Sequence, residues 1–210
     1  MAPKMPDEYR AARRAQIIGA AAECFLDKGF HQTTMQDIFE ASGLSAGAVY
    51  NYFDSKEEIV AAMGELSGVR NTAIASRALL SDSDEPIAAA LESFLAILKS
   101  PEAGRWAPFD IGMYAEAARN EKIRASIQEN VSVTADALVP LIEELQVSGA
   151  LSPELDARSI IIALSMLVQG MQTLRVIDPD ADLDAYAEAC VAIARGDLRI
   201  AKSKKKRKEA

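Results

Sequence analysis

Ser45-Ala46-Gly47-Ala48, followed at Tyr50, Asn51 and Tyr52 by two phenols and a carboxamide, is the stretch with the clearest chemistry in the chain. Ala46, Gly47 and Ala48 add almost no bulk, so a helix starting with them can approach another molecule closely. Hydroxyl and amide groups beside such a surface suit phosphate oxygens, and a bare helix edge suits the floor of a groove. The pattern points to double-stranded DNA, with Ser45, Ala46, Gly47 and Ala48 at base edges and Tyr50, Asn51 and Tyr52 at phosphates. The plainer alternative is an ordinary pair of helices on the edge of a helical protein.

Other chemistry finds little support. His31 is the only histidine and has no ligating or catalytic partner nearby in sequence. Cys24 and Cys190, far apart and both on helical patterns, suit buried thiols in a reducing compartment better than a disulfide. Glu143 and Glu144 are neighbours on a helix and do not face a common point. There is no Gly-rich phosphate loop and no Cys/His metal spacing. The expectation is therefore no enzyme, no metal and no cofactor.

The elements that position the bare stretch are legible around it. Thr34 is placed to cap a short helix, with Asp37 closing a capping box. Gly43 follows where a left-handed backbone ends that helix, and Ser45 caps the next. Ile38, Leu44, Val49 and Phe53 can close a small core between the two. This is a helix-turn-helix, whose second helix enters the major groove.

The flanks sharpen the reading. Ala20, Ala21, Phe25, Gly29, Phe30, Thr34, Asp37, Ile38, Gly43, Ser45, Gly47, Tyr50, Phe53 and Lys56 stand in order and in register. With them, residues 13–60 resemble the N-terminal domain of the TetR (tetracycline-repressor) family of bacterial transcriptional regulators. Two residues depart from that pattern: Phe39 where Ala is usual, which should open the helix packing, and Tyr52 where His is common. The resemblance implies phosphate roles for Thr33, Thr34 and Lys56 beside Tyr50, Asn51 and Tyr52. It implies a homodimer on a palindromic operator, its two reading helices about 34–36 Å apart. It also implies a small-molecule pocket in the C-terminal domain. Met63, Leu66, Phe94, Leu98, Trp106, Phe109, Met113 and Tyr114 are the candidate lining, with Met166 and Gln169 as polarisable or polar members. With few charges among them, the effector should be apolar or amphipathic. The expected function is a ligand-responsive regulator, a repressor first. An activator of the same fold, or a helical interaction protein that does not bind DNA, is the alternative.

The 210 residues are half apolar, a globular composition. The net charge of −8 is unevenly spread: residues 1–60 carry 6 basic and 9 acidic side chains, 61–200 carry 11 and 21, and 201–210 carry 6 and 1. DNA affinity must then come from local placement and from the basic tail, Lys202 to Lys208, which can add salt-sensitive attraction or simply be solvated. The expected organisation is all-α: residues 1–9 disordered, 10–60 a three-helix DNA-binding domain, 61–200 a helical effector-binding and dimerisation domain, and 201–210 a disordered tail.

In chain order, Arg10, Arg13 and Arg14 open the first helix, against its dipole, and Gly29 stops it. A helix starts at Ser55 and runs to about Leu80, followed by a break to Pro86 and a helix over 87–99. Residues 100–105 read as a loop before a helix over 106–119. Glu121 to Val147 is helical, with Pro140 expected to kink or split it. Leu155 to Val176 is apolar on two sides and must be buried on both, and a last helix runs from Leu183 to about Ile200. Ile161, Val168, Gly170, Tyr186, Cys190 and Ile193 are the expected dimer contacts, with Gly170 permitting close approach. The run Ile160 to Val168 is too short to span a bilayer, and the N-terminus lacks a signal-peptide core. These features suggest a soluble cytoplasmic protein with no membrane partner.

Overall fold

The computed structural model describes residues 7–81 and 83–198. Expectations for residues 1–6, for Ile200 and for the tail 201–210 lie outside the described residues. Nine α-helices are described: α1 Asp7–Gln32, α2 Met35–Ser42, α3 Ala46–Tyr50, α4 Lys56–Leu79, α5 Pro86–Leu98, α6 Pro101–Ala117, α7 Glu121–Val147, α8 Ala157–Ile177 and α9 Leu183–Arg195.

Most helices begin at a side-chain cap. Ser55 accepts from Glu58 N at 3.4 Å, Asn120 from Ile123 N at 3.3 Å, Asp156 from Ser159 N at 2.8 Å and Asp182 from Ala185 N at 2.9 Å. Each satisfies a backbone donor that the first turn leaves open.

Several expected boundaries are corrected. Residues 7–9 are helical, because Asp7 and Glu8 occupy the first turn of α1 and complement its dipole. Arg10, Arg13 and Arg14 therefore lie beyond the helix opening. Residues 100–105 are not a loop: Ser100 accepts from Ala103 N at 3.2 Å and Pro101 takes the first helical position, where its missing N–H costs nothing. Pro140 does not split α7, which runs as one helix through it. The last helix ends at Arg195, where Gly196 takes φ 78. Gly29 does interrupt the regular helix of α1, at φ 73, before one further turn.

Three apolar clusters hold the fold. In the first, Ile17, Ala21, Phe25, Ile38, Val49 and Ile59 are essentially inaccessible, joined by Met113 and Ile123 and flanked by Phe109 and Ile127. The cluster thus runs past residue 60 into α6 and α7. Phe25 stacks on Phe109 at 5.4 Å, and Arg105 pairs with Glu23 at 2.7 Å across the same seam. The second cluster joins α4, α5, α7 and α8 through Leu79, Ile87, Leu138, Ile142 and Ile161. The third joins α5, α8 and α9 through Leu91, Leu95, Met171, Cys190 and Val191. Each large apolar side chain fully withdrawn from water contributes roughly 1.5–3 kcal/mol.

The helix α8 is not buried on two sides within one chain. It packs against α5, α6, α7 and α9, yet Ile162, Met166, Val176 and Ile177 stay exposed. Over an 18-residue window it is long and apolar enough to cross a bilayer, which the count of consecutive apolar residues missed. Its four helical neighbours and buried Gln172 give it a place inside this fold.

The expected dimer contacts mostly belong to packing within the chain. Ile161 and Cys190 are buried, and Val168 and Tyr186 pack in the third cluster. Gly170 lets Tyr186 come close: a Cβ there would collide with the Tyr186 hydroxyl, which donates to Leu167 O at 3.0 Å. Only Ile193 of that set is a widely exposed apolar side chain. Two stripes can be read on one helix, but periodicity does not say which of them a neighbour covers.

Candidate nucleic-acid interface

Local capping fixes the geometry of α2, its turn and α3. Thr34 Oγ1 accepts from Asp37 N at 3.2 Å, and Asp37 accepts from Thr34 N at 2.8 Å, completing the box. Lys28 holds the same carboxylate at 2.6 Å. That contact first, and the Thr34 bonds second, keep Asp37 far below the usual carboxylate range. Gly43 takes φ 67, ψ 18, so the chain turns at a left-handed residue that a side chain would strain. Ser45 then caps α3, accepting from Ala48 N at 3.3 Å.

The framework beneath is tight. Ile38 and Val49 are fully buried and Phe53 nearly so, with Leu44 packed against them. Gln16 of α1 donates to Ser42 O at 2.7 Å, tying down the end of α2. Ser45, Ala46 and Gly47 face solvent, Ala48 is half-buried, Tyr50 and Asn51 are exposed, and Tyr52 is half-buried. The small-residue edge therefore projects from a rigid support. Thr34 is exposed beside it at the start of α2.

Phe39 is accommodated at the rim without opening the core. Its ring meets Tyr50 edge-on at 5.3 Å, so it braces the tyrosine. The Arg10 guanidinium lies over the Tyr52 ring at 5.9 Å, placing a cation at the edge of this surface. Arg13 turns to Tyr9 and Gln16, at 3.0 and 2.7 Å. Arg14 is taken up by Glu65 of α4 at 3.0 Å and by the face of Phe53.

Two expected phosphate contacts need correction. Thr33 is buried, its hydroxyl donating to Gly29 O at 2.8 Å and Cys24 O at 3.1 Å, so it closes the end of α1. Lys56 is turned inward: its ammonium donates to Phe30 O at 2.6 Å and Thr33 O at 3.1 Å and lies 4.2 Å from the centre of the Phe30 ring. The exposed carbonyls at the end of α1 attract the cation more directly than the dipole of α4 repels it.

The expected pocket residues do not converge. Met63, Phe109 and Met113 belong to the first cluster, Phe94 to the second and Leu98 to the third. Trp106 stands edge-on to Phe109 at 5.6 Å and donates to Glu102 at 3.0 Å. Leu66, Tyr114 and Met166 are 54%, 46% and 53% exposed. An apolar residue at helical spacing signals burial of some kind, and here it is mostly ordinary packing. Gln169 differs, because its side-chain Nε2 is buried without a partner.

Sequence reasoning missed a junction between the two halves. His31 Nε2 lies 3.0 Å from Glu116, which Arg119 also grips at 2.7 Å. The Arg119 bond is the main reason the Glu116 carboxyl stays below its ordinary value. The three residues line an open cleft of about 850 Å³ beside Asn120 and Lys122. They are 85 or more positions apart from His31 in sequence, so no local pattern could have paired them with it.

Residues 17–63 match the family model described as bacterial regulatory proteins, tetR family. An HTH-type transcriptional repressor of Mycobacterium tuberculosis, Rv1474c, is 35% identical over 75 residues, 36% of this chain and 40% of that protein. The HTH-type transcriptional activator FasR of Mycolicibacterium smegmatis is 27% identical over 199 residues, 90% of this chain and 84% of that protein. Matches to the first curated relatives span only 29–40% of their length. The solved structure of Salmonella enterica GusR shares the fold, with a TM-score of 0.75 at 22% identity over 94% of this chain and 100% of that one.

Proposed function

Starting from a chain that belongs to the TetR family of bacterial regulators, we propose that it represses transcription by binding a palindromic operator as a homodimer and leaves DNA when a small molecule binds its C-terminal domain. One observation carries the DNA reading: the Ser45–Gly47 edge is exposed on a support whose core residues Ile38 and Val49 are inaccessible. Ser45, Ala46, Gly47 and Ala48 meet base edges, and Thr34, Tyr50, Asn51 and Tyr52 hold phosphates, with Arg10 beside them. Lys56 acts by holding the end of α1 in place. The protein works in the cytoplasm, where its DNA is.

The dimer face is the uncovered stripe of α8 with its neighbour α9: Ile162, Met166, Val176, Ile177 and Ile193. Exposed apolar side chains gathered on neighbouring helices suit an interaction surface, and a second copy offers the same strip in return. Effector binding favours a dimer whose reading helices no longer match successive grooves, with a coupling of about 1–3 kcal/mol. An activator is the second reading, favoured by FasR, whose match runs along most of the chain. The two differ in where the operator lies relative to a promoter.

Two measurements test this. Operators selected from random duplexes should bind the Tyr50→Ala variant about tenfold more weakly whatever their sequence, while Ala48→Ser should change which sequence is preferred. Unchanged binding by Tyr50→Ala ends the assignment. Sedimentation should show a dimer at micromolar concentration that Met166→Glu converts to a folded monomer; a monomeric wild type refutes the assembly.

A further inference from the structure

The polar groups where α6 meets α8 say what kind of molecule the C-terminal domain takes; this rests on the regulator reading above. Asp110 and Tyr114 stand one turn apart on α6, and Gln169 and Gln172 stand within one turn of each other on α8, which packs against α6. Gln172 is only 6% exposed. Its amide stands near the Asp110 carboxyl and offsets part of the effect of burial on that acid, while its carbonyl Oε1 is buried with no partner. Gln169 Nε2, on the same side of α8, is also buried with no partner. The two glutamines do not satisfy one another. The seam therefore offers an open acceptor and an open donor near a half-buried carboxyl, whereas buried polar atoms in folded proteins are nearly always paired.

We propose that this seam binds an uncharged amide-type head group, a carboxamide, lactam or urea, whose N–H donates to Gln172 Oε1 and whose C=O accepts from Gln169 Nε2. A carboxylate head would bring a second negative charge to Asp110 and offer Gln172 no donor. An ammonium head would suit Asp110 and Gln172 but leave the Gln169 donor open. Gln172 stands at the centre of the arrangement, near Asp110 and in reach of the ligand through Oε1.

Calorimetric titration of the full chain with octanamide, octylamine and octanoate separates these chemistries at constant tail length. Octanamide should bind at least about tenfold more tightly than octanoate. Gln172→Leu should remove most of that preference, leaving octanoate unaffected. Gln169→Leu, at a partly exposed position, gives the same readout should Gln172→Leu fail to fold. Octanoate binding as tightly as octanamide, both variants binding like the wild type, or no binding by any of the three probes overturns the proposal. Duplex binding is measured on the same preparation. Intact duplex binding without octanamide binding sinks the head-group assignment alone, and loss of duplex binding sinks the regulator reading with it.

Discussion

The helix-turn-helix and the α6–α8 seam handle polar groups in opposite ways. Around α2 and α3 the end groups are closed locally: Thr34 with Asp37, Gly43 at φ 67, and Ser45 with Ala48 N. At the α6–α8 seam, Gln169 Nε2 and Gln172 Oε1 are left open, with the half-buried Asp110 carboxyl nearby. Satisfied short-range bonds make a surface that keeps its shape before it meets a partner. Open long-range ones make a region whose energy changes when something arrives. The contrast is the one expected if, as proposed, the first region reads DNA and the second responds to a ligand.

Three substitutions test that contrast. Ile38→Ala removes a fully buried side chain from beneath the reading surface and should cost about 2–5 kcal/mol. Urea unfolding followed by tyrosine fluorescence measures it; a loss under about 1 kcal/mol would mean the support is looser than its packing indicates.

Asp110→Asn should act in the other direction. Burial lifts the Asp110 carboxyl from 3.8 to about 6, the Gln172 bond and the Arg70 charge offsetting part of the rise. The folded chain thus holds the Asp110 proton more tightly than the unfolded chain does. The associated stability is present below about pH 4 and is lost as the pH rises through about 6. Asp110→Asn should therefore raise stability by roughly 1–3 kcal/mol at pH 8 and leave it unchanged near pH 4. Thermal unfolding at the two pH values checks it; equal effects at both would remove the buried charge as the cause.

The smallest effect belongs to a single cap. Thr34→Ala opens the capping box and should cost about 1 kcal/mol, with a parallel fall in duplex affinity. Unchanged stability would mean that the Lys28–Asp37 contact alone holds the start of α2.

What could be read from the sequence divides along the same line. Thr34, Gly43, Ser45 and Ser55 were legible because a cap involves residues two or three positions away. Thr33 and Lys56 were not. Their partners, the carbonyls of Cys24, Gly29 and Phe30, come from the end of an earlier helix, and nothing near Lys56 in sequence signals an inward turn. Pro101 suggests a break from sequence alone, although with Ser100 ahead of it a proline starts a helix equally well. On α8 the apolar pattern is visible in the sequence, but which side the chain's own helices cover is not: Ile161 and Val168 pack within the chain, and Ile162, Met166, Val176 and Ile177 are exposed. A glycine at 170 signals a close approach without saying whose, and it is Tyr186 of the same chain that comes close. The open amides of Gln169 and Gln172 become visible only when α6 lies alongside.

The inward turn of Lys56 also has a mechanical meaning. It rivets the first residue of α4 to the end of α1, while the other end of α4, at Leu79, is embedded in the second cluster. The 24 residues between form a rod about 36 Å long. A tilt of about 5° at the far end becomes a displacement of about 3 Å at the riveted one. Fastened at both ends, such a shaft is the direct mechanical link between the packing of α5, α7 and α8 and the proposed DNA-facing edge.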